Sequence, residues 1–307
     1  MQVYHQISEL SGLTNSIVTI GTFDGVHLGH QKIIKRLVEL KNKQGGEIVV
    51  FTFDPHPRKV LFPEQKDLKL ITLTEEKCEV LKHFGVDHVL VFPFTKEFSQ
   101  MQANDYIVDV IVKGLKTKTL VIGYDHRFGS NREGSIETLK QFATTHQFNV
   151  EEIPAQEINQ LNVSSTRIRR AIEEGDILVT NDFLGYSFFI TGKVVKGKQL
   201  GRTIGYPTAN ISIGNEDKLI PKIGVYAVNV LIGKQSYKGM LNIGTNPTTD
   251  LDNTIKIEVN IFDFDQDIYG ERVKVEFVKR IRNEEKFANL DELKQALAND
   301  KIACSHV

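Results

Sequence analysis

The 307-residue sequence lacks the features that mark secreted and membrane proteins. It has two cysteines, Cys78 and Cys304, which match neither a disulfide framework nor a zinc site. No apolar run approaches the roughly 20 residues of a membrane-spanning helix. The opening residues also lack the basic and apolar regions of a signal peptide. We therefore expect a protein of the reducing cytoplasm.

A strong charge of either sign is also missing. The chain carries 38 Lys and Arg against 39 Asp and Glu, a net charge of −1. Neither half is markedly basic, whereas nucleic-acid-binding proteins usually show a basic excess. We therefore expect small-molecule partners rather than nucleic acids or membranes. A chain of 307 residues is longer than one hydrophobic core usually organises, so two domains are expected.

The first half of the sequence alternates between short apolar runs and longer amphipathic stretches. The runs, which predict buried strands, are 16–20, 47–53, 88–94, 118–124 and 150–155. The stretches, which predict helices, are 30–43, 74–85, 103–115 and 135–147. Strands separated by helices in this way form βαβ units, so we predict a parallel sheet.

The pattern changes after about residue 183. Short, partly alternating runs separated by glycine-rich or polar turns predict an antiparallel β domain, either a barrel or a sandwich. The chain then ends in a predicted helix, with a capping box at Asn289 and Glu292. Its apolar stripe consists of Leu290, Leu293 and Leu297. We place the domains at 1–183 and 184–307.

The stretch TIGTFDGVHLGH, residues 19–30, stands where the first strand turns into the first helix. Its glycines, which let a ligand approach the backbone closely, are Gly21, Gly25 and Gly29. Asp24 is expected to cap the helix. His27 and His30 lie on one face of the first turn, where free N–H groups attract phosphate. A metal pair and two plain surface histidines are the alternatives; the nearby sequence offers no third zinc ligand.

Phe-Asp-Gly-x-His-x-Gly-His resembles the HxGH signature of the nucleotidyltransferase superfamily, in the form found in bacterial FAD synthetases. The resemblance implies adenylyl transfer, in which the phosphate of FMN attacks the α-phosphorus of ATP and pyrophosphate leaves. It also implies that His27 and His30 are catalytic. The residues that it assigns to ATP binding are Gly21, Phe23, Asp24 and Gly29.

Three further segments of the first half resemble the same family. The turn DPHP at 54–57 is similar to a family turn near the nucleotide, although any Pro-x-Pro can be a simple turn. VIGYDHRFGS resembles the flavin-phosphate loop, with Asp125 toward FMN and His126 where phenylalanine is usual. NVSSTRIRR resembles the second nucleotide motif, whose alternative is a capped basic surface helix. Its implied ATP ligands and catalytic residue are Ser165, Thr166 and Arg169.

The densest signal of the second half is GYPTANIS, residues 205–212. Thr208 and Asn210 offer two oxygen ligands of the kind that Mg²⁺ prefers, although a turn is the simpler interpretation. The stretch is similar to the PTAN motif of riboflavin kinases, in which Thr and Asn hold magnesium-ATP. The preceding run resembles that family's phosphate flap, with Gly197 and Gly201 at the nucleotide. No Walker A sequence occurs, which excludes a P-loop kinase.

Glu258 lies in an alternating strand between Ile257 and Val259, where alternation alone predicts a side chain in solvent. The riboflavin kinase resemblance implies instead that Glu258 is the catalytic base. Asn260 stands where that family often has histidine. RIRNEEKF resembles the stretch near the flavin, which places Arg282 and Glu284 on the flavin side.

Both sets of motifs stand in the order of the bifunctional riboflavin kinase/FMN adenylyltransferase family. The resemblance implies an α/β nucleotidyltransferase domain with a parallel sheet, followed by an antiparallel six-stranded β-barrel kinase domain with a C-terminal helix. It implies riboflavin, FMN and ATP as substrates and Mg²⁺ as cofactor. Two alternatives stay open: a chain with one active module, and a flavin-binding protein without turnover.

Overall fold

The computed structural model describes residues 1–10, 12–65, 67–124, 126–155, 163–197, 201, 204–245 and 255–307. These residues form two compact units, Met1–Ser165 and Thr166–Val307. In the part of the chain so described, no helix combines the length and the apolar character needed to cross a membrane.

The first unit is built on a six-stranded sheet in which every neighbouring pair is parallel. Its strands are β1 (Gln2–Tyr4), β2 (Ser16–Ile20), β3 (Glu47–Phe53), β4 (His88–Phe92), β5 (Thr117–Gly123) and β6 (Asn149–Ile153), in the spatial order β1-β4-β3-β2-β5-β6. The parallel sheet is therefore confirmed. Every residue of β2 is buried, as expected of a central strand covered on both faces.

Helices connect these strands. They are α1 (Leu28–Gln44), α2 (Pro57–Leu61), α3 (Thr74–His83), α4 (Lys96–Ser99), α5 (Ala103–Asp105) and α6 (Ile136–His146). Helix α5 continues as a π-helix, Tyr106–Gly114, which packs Ile107 and Ile111 into the core of the first unit. Helix α1 buries Ile33, Ile34 and Leu37 and ends at Gly45, whose φ of 70° favours glycine.

The second unit contains a closed barrel of six antiparallel strands. They are β7 (Phe189–Val195), β8 (Ala209–Ser212), β9 (Gly224–Ile232), β10 (Gln235–Thr245), β11 (Ile255–Ile261) and β12 (Arg272–Arg282), in the order β10-β11-β8-β7-β12-β9. The barrel expectation is confirmed, and the sandwich alternative is wrong. Strand β8 begins at Ala209, so the PTAN stretch, residues 207–210, runs into the start of a barrel strand.

The described residues of the second unit also include the helices α7 (Ser165–Glu174), which begins at the last residue of the first unit, α8 (Ile177–Leu184) and α9 (Leu290–Ser305). Asn289 caps α9 by accepting a hydrogen bond from the Glu292 N–H at 2.9 Å, as predicted. The predicted apolar stripe is wrong at Leu290, which is 51% exposed. Leu290 occupies the first helical position, and burial on this helix begins one turn later, at Leu293.

Candidate active sites

The loop between β2 and α1 brings the two predicted histidines together. His27 is the N-cap of α1, and its Nδ1 accepts a hydrogen bond from the His30 backbone N–H at 3.4 Å. The two imidazole rings stack with 3.7 Å between centroids and 15° between planes. Phe23, which is buried, packs beneath them, with its ring centroid 5.0 Å from that of His30. Gly21 and Gly29 flank this arrangement, in the loop and in the first turn of α1.

Asp24 does not cap α1, so that expectation is wrong. Its Oδ1 accepts a hydrogen bond from the Thr72 backbone N–H at 3.0 Å, while the Gly25 N–H donates to the Thr72 hydroxyl at 3.0 Å. The loop turns tightly here, since Phe23 and Gly25 have φ values of 48° and 81°. This turn directs Asp24 away from α1 and leaves the capping position to His27.

His30 is an unsatisfied buried group in this site. Its Nδ1 is buried and has no hydrogen-bond partner among the described residues. Burial lowers the pKa of His30 well below its usual range, and the charges of His27 and Lys77 lower it further. His30 is therefore neutral at physiological pH and offers a hydrogen bond, not a fixed charge, to a ligand.

The second nucleotide motif reaches the same loop through its serine. The Ser165 hydroxyl donates a hydrogen bond to the Asp24 carbonyl at 3.1 Å. Thr166 and Arg169 follow on α7, three residues apart and so on one side of the helix. Thr166 is exposed and Arg169 is half-buried. The predicted FMN ligand Asp125 lies outside the described residues.

A cluster of half-buried aromatic rings at the carboxyl ends of β3 and β4 escaped the sequence analysis. The ring centroids of Phe53 and Phe94 are 5.3 Å apart, and those of Phe92 and Phe98 are 4.9 Å apart. The turn at 54–57 is attached here, because the Asp54 N–H donates to the Phe92 carbonyl at 3.1 Å. Two neighbouring predicted strands that both contain phenylalanine near their carboxyl ends were the available signal.

In the second unit, a cavity of about 310 Å³ brings together five of the predicted kinase residues: Gly201, Thr208, Glu258, Arg282 and Glu284. Leu241, Asn242 and Asn260 also line it; the side chains of Leu241 and Val259, the neighbours of the two asparagines on β10 and β11, are fully buried. Alternate residues of a strand face opposite sides. The cavity therefore lies on the outer surface of the barrel, and α9 forms part of its mostly apolar wall through Leu293 and Leu297.

Glu258 lies in the middle of a polar row across three strands. It pairs directly with Asn242 of β10 on one side and with Asn210 of β8 on the other. Directly opposed residues of antiparallel strands have Cβ atoms about 5 Å apart. The half-buried Glu258 side chain therefore faces the cavity and its amides, not open solvent.

The two predicted metal ligands precede and enter β8 at alternate positions. Neither the Thr208 hydroxyl nor the Asn210 amide hydrogen-bonds to another described residue, so their oxygens are available to a ligand. Gly197 approaches Asn210 so closely that a Cβ would lie 2.2 Å from the Asn210 Nδ2. Gly201 is equally close to the Tyr206 carbonyl, where a Cβ would lie 2.2 Å away. Both glycines are therefore required by space.

Asn260 holds the loop at Pro207 and Thr208, which leads into β8. It is 6% exposed, and its Nδ2 donates a hydrogen bond to the Pro207 carbonyl at 2.6 Å. The sequence assigned no role to this residue. The contact joins β11 to the residue before Thr208 and so fixes the start of β8 relative to Glu258.

Arg282 forms an ion pair with Asp300, which the sequence did not predict. Its Nε and Nη2 donate to the two carboxylate oxygens of Asp300 in α9, at 2.9 and 2.7 Å. Its Nη1 donates to the Asn283 carbonyl at 2.9 Å. Asp300 is 4% exposed, so the pair is shielded from water. Glu284, in contrast, is exposed and packs against Gly244 at the end of β10.

Comparison with known proteins finds two family matches, and each covers one of the two candidate sites. The FAD synthetase family model matches residues 10–167, and the riboflavin kinase family model matches residues 184–307. A bifunctional riboflavin kinase/FMN adenylyltransferase of Listeria monocytogenes is 39% identical over 287 residues, which cover 94% of this chain and 90% of that protein. The chain belongs to the bifunctional riboflavin kinase/FMN adenylyltransferase family. It joins a kinase that makes FMN to an adenylyltransferase that makes FAD, with ATP as co-substrate.

Other relatives extend the match over nearly the whole chain. The bifunctional enzyme of Bacillus subtilis is 36% identical over 306 residues, covering 97% of this chain and 93% of the relative. A crystal structure from Streptococcus pneumoniae, of a protein named macrolide-efflux protein, has a TM-score of 0.88 at 34% identity. It covers 100% of this chain and 99% of that one, so the two-unit architecture is shared.

The Arg282–Asp300 pair leads to a prediction for the kinase of this family member. Asp300→Asn removes the charge but keeps the shape of the side chain, so Arg282 loses its paired carboxylate inside the cavity wall. We expect the KM for riboflavin to rise about tenfold, because weakening a buried charge pair costs a kcal/mol or more. Asp291→Asn, on the exposed first turn of α9, is the control. An unchanged riboflavin KM in Asp300→Asn would contradict the prediction.

Proposed function

We propose that the two reactions use two separate sets of side chains, one around the β2–α1 loop and one on the outer face of the barrel. The observation that carries the proposal for the kinase is the row Asn210–Glu258–Asn242, in which the carboxylate of Glu258 lines the cavity and is paired with an amide on each side. For the adenylyltransferase it is the stacked histidine pair with its buried, unsatisfied Nδ1.

In the kinase, Glu258 accepts the proton of the ribityl 5′-hydroxyl of riboflavin as that oxygen attacks the γ-phosphorus of ATP. FMN and ADP are the products. A positioned base of this kind accelerates a reaction about 10²- to 10⁴-fold. Gly197 and Gly201 bind the ATP phosphates through their backbone. Glu284 and Arg282 define the flavin end of the cavity, Arg282 through its bonds to Asp300 and Asn283.

Magnesium fits the kinase site. Thr208 and Asn210 present two uncommitted side-chain oxygens at alternate positions, next to the strand that carries Glu258. Mg²⁺ takes one or two protein oxygens and completes its shell with water and phosphate. We propose Thr208 and Asn210 as its ligands. When bound, the ion neutralises charge on the phosphate oxygens of ATP.

In the adenylyltransferase, the phosphate of FMN attacks the α-phosphorus of a second ATP, and pyrophosphate leaves. The reaction needs no protein nucleophile, only alignment and stabilisation of charge. His27 and His30 act on the phosphates at the N-terminus of α1, with the loop residues Gly21, Phe23, Asp24 and Gly29. On α7, we propose that Ser165 and Thr166 bind the phosphates of the same ATP. Arg169 supplies positive charge to the reacting phosphates and is assigned as catalytic. The half-buried phenylalanines at the ends of β3 and β4 suit an isoalloxazine ring, and Asp125 is assigned to FMN.

This division places the functional boundary at 183/184. We propose the cytoplasm, where ATP is supplied, as the location of both reactions. The compact units divide earlier, between Ser165 and Thr166, because helices α7 and α8 belong to the second unit. The FAD synthetase match ends at residue 167, and the riboflavin kinase match begins at residue 184.

Product chromatography tests the proposal. With riboflavin, ATP and Mg²⁺, we expect FMN to appear first and FAD to follow; with FMN as the starting flavin, we expect FAD and pyrophosphate. Accumulation of FMN without FAD would show that only the kinase is active, an outcome to check because His126 departs from the usual flavin loop. Tight flavin binding without release of ADP would indicate a binding protein and contradict both assignments.

A further inference from the structure

Helix α3 places a buried lysine at the carboxyl ends of β2 and β3. The Lys77 side chain is 5% exposed. Its Nζ donates hydrogen bonds to the Thr22 carbonyl at 3.1 Å and to the Thr52 hydroxyl at 2.9 Å. The Thr52 hydroxyl in turn donates to the Thr22 carbonyl at 3.0 Å. Lys77 thus ties together the two strand ends from which the histidine loop and the turn at 54–57 begin.

The Lys77 ammonium is bound by neutral groups. Among the described residues, the hydrogen-bond acceptors shown for its Nζ are the Thr22 carbonyl and the Thr52 hydroxyl, and neither is a carboxylate. Burial lowers the pKa of Lys77, and the more distant Asp24 and Asp54 only partly offset this. An ammonium has three N–H donors, and two are used here. Burying a cation without a partner is costly, so an anionic ligand would relieve the cost.

Lys77 is also close enough to His30 for its charge to lower the pKa of that histidine. A neutral His30 cannot supply the positive charge that adenylyl transfer requires. A fixed ammonium behind the loop can supply it, since electrostatic interactions are strong where water is excluded. Nothing in the sequence pattern marks this residue, because a lysine within a helical pattern is normally exposed.

We propose that Lys77 is a positioning residue of adenylyl transfer, which holds the histidine loop at Thr22 and provides a buried positive charge behind the loop that binds the ATP phosphates. The inference rests on the proposed function of the histidine loop. It adds a second cationic contribution to the predicted one of Arg169, and it comes from an element outside both nucleotide motifs.

The test is Lys77→Met in the full-length enzyme, with both reactions measured. Formation of FAD from FMN is expected to fall at least tenfold in kcat, whereas formation of FMN from riboflavin stays within twofold and reports that the chain is folded. Lys82→Met is the matched control, because it removes an exposed charge from the same helix. It is expected to change neither rate. An unchanged FAD rate in Lys77→Met overturns the inference.

Inhibition constants separate a charge effect from a merely structural one. In Lys77→Met, the inhibition constant of pyrophosphate should rise about tenfold, while that of uncharged adenosine stays within twofold. Equal weakening of both inhibitors would show a structural role and overturn the inference. If Lys77→Met folds poorly, Lys77→Gln, which keeps an N–H donor without the charge, gives the same comparison.

The outcomes also distinguish this inference from the proposed function. Loss of FAD formation in His30→Ala together with a normal rate in Lys77→Met would refute the role of Lys77 alone. Normal FAD formation in both variants would refute the assignment of the whole loop.

Discussion

Glu258→Gln is expected to abolish FMN formation from riboflavin and to leave the conversion of FMN to FAD running. The amide keeps the size of the side chain and its place between Asn210 and Asn242, but it cannot accept the proton of the attacking hydroxyl. The expected loss in kcat of the kinase is about 10²- to 10⁴-fold, the usual contribution of a general base. Separate assays with riboflavin and with FMN, each followed by chromatography, measure the two rates.

Glu271→Gln is the control for this experiment. Glu271 is an exposed glutamate that precedes β12 and does not line the cavity. Its replacement should leave both rates unchanged. Loss of both activities in Glu258→Gln would mean that the substitution damages the fold or that the division of labour is wrong. A kinase rate within threefold of the wild type would remove Glu258 from the mechanism.

His30→Ala is expected to have the opposite effect, with FAD formation lost and FMN formation retained. The substitution removes a hydrogen-bonding ring whose Nδ1 is buried and unsatisfied. It also removes the stacking partner of His27. Loss of one positioned donor to a developing negative charge typically reduces kcat about 10²- to 10³-fold. Release of pyrophosphate from FMN and ATP is the direct measurement.

His5→Ala serves as the control, since His5 is exposed and lies outside both sites. It should leave both rates unaltered. If FAD formation by His30→Ala matches that of the wild type, the histidine pair has no part in catalysis. If FMN formation falls as well, the effect is not confined to the adenylyltransferase.

Much of the fold could be predicted because its elements carry strong local patterns. The apolar runs at 16–20 and 47–53 became β2 and β3 without a change of boundary. Strand β1 was missed because three residues are too few to show alternation, and it forms only by pairing with β4. The π-helix at Tyr106–Gly114 was predicted as an ordinary helix, since its pattern of buried residues is similar and only the hydrogen bonding differs.

The sites were predictable where a motif is contiguous and not where a contact is long-range. His27 and His30 stand within one turn, and Thr208 and Asn210 within one strand start. Asp24 was assigned to the wrong partner because Thr72, whose backbone N–H donates to it in the fold, is 48 residues away. Lys77 and Asp300 were not predicted as site residues, because their contacts are also with residues distant in the sequence. Both are residue types that are usually exposed, and only the tertiary structure buries them.

Because the kinase cavity lies on the outside of the barrel, different residues of the same strands pack the barrel interior and line the cavity. Along β10 and β11, the side chains of Leu241, Ile243, Ile257 and Val259 are buried, and Asn242, Glu258 and Asn260 at the alternate positions line the cavity. A substitution at Asn242 can therefore change what the enzyme accepts without opening a void, while one at Leu241 changes stability first. Substitutions at these two adjacent residues can thus alter substrate specificity and stability independently.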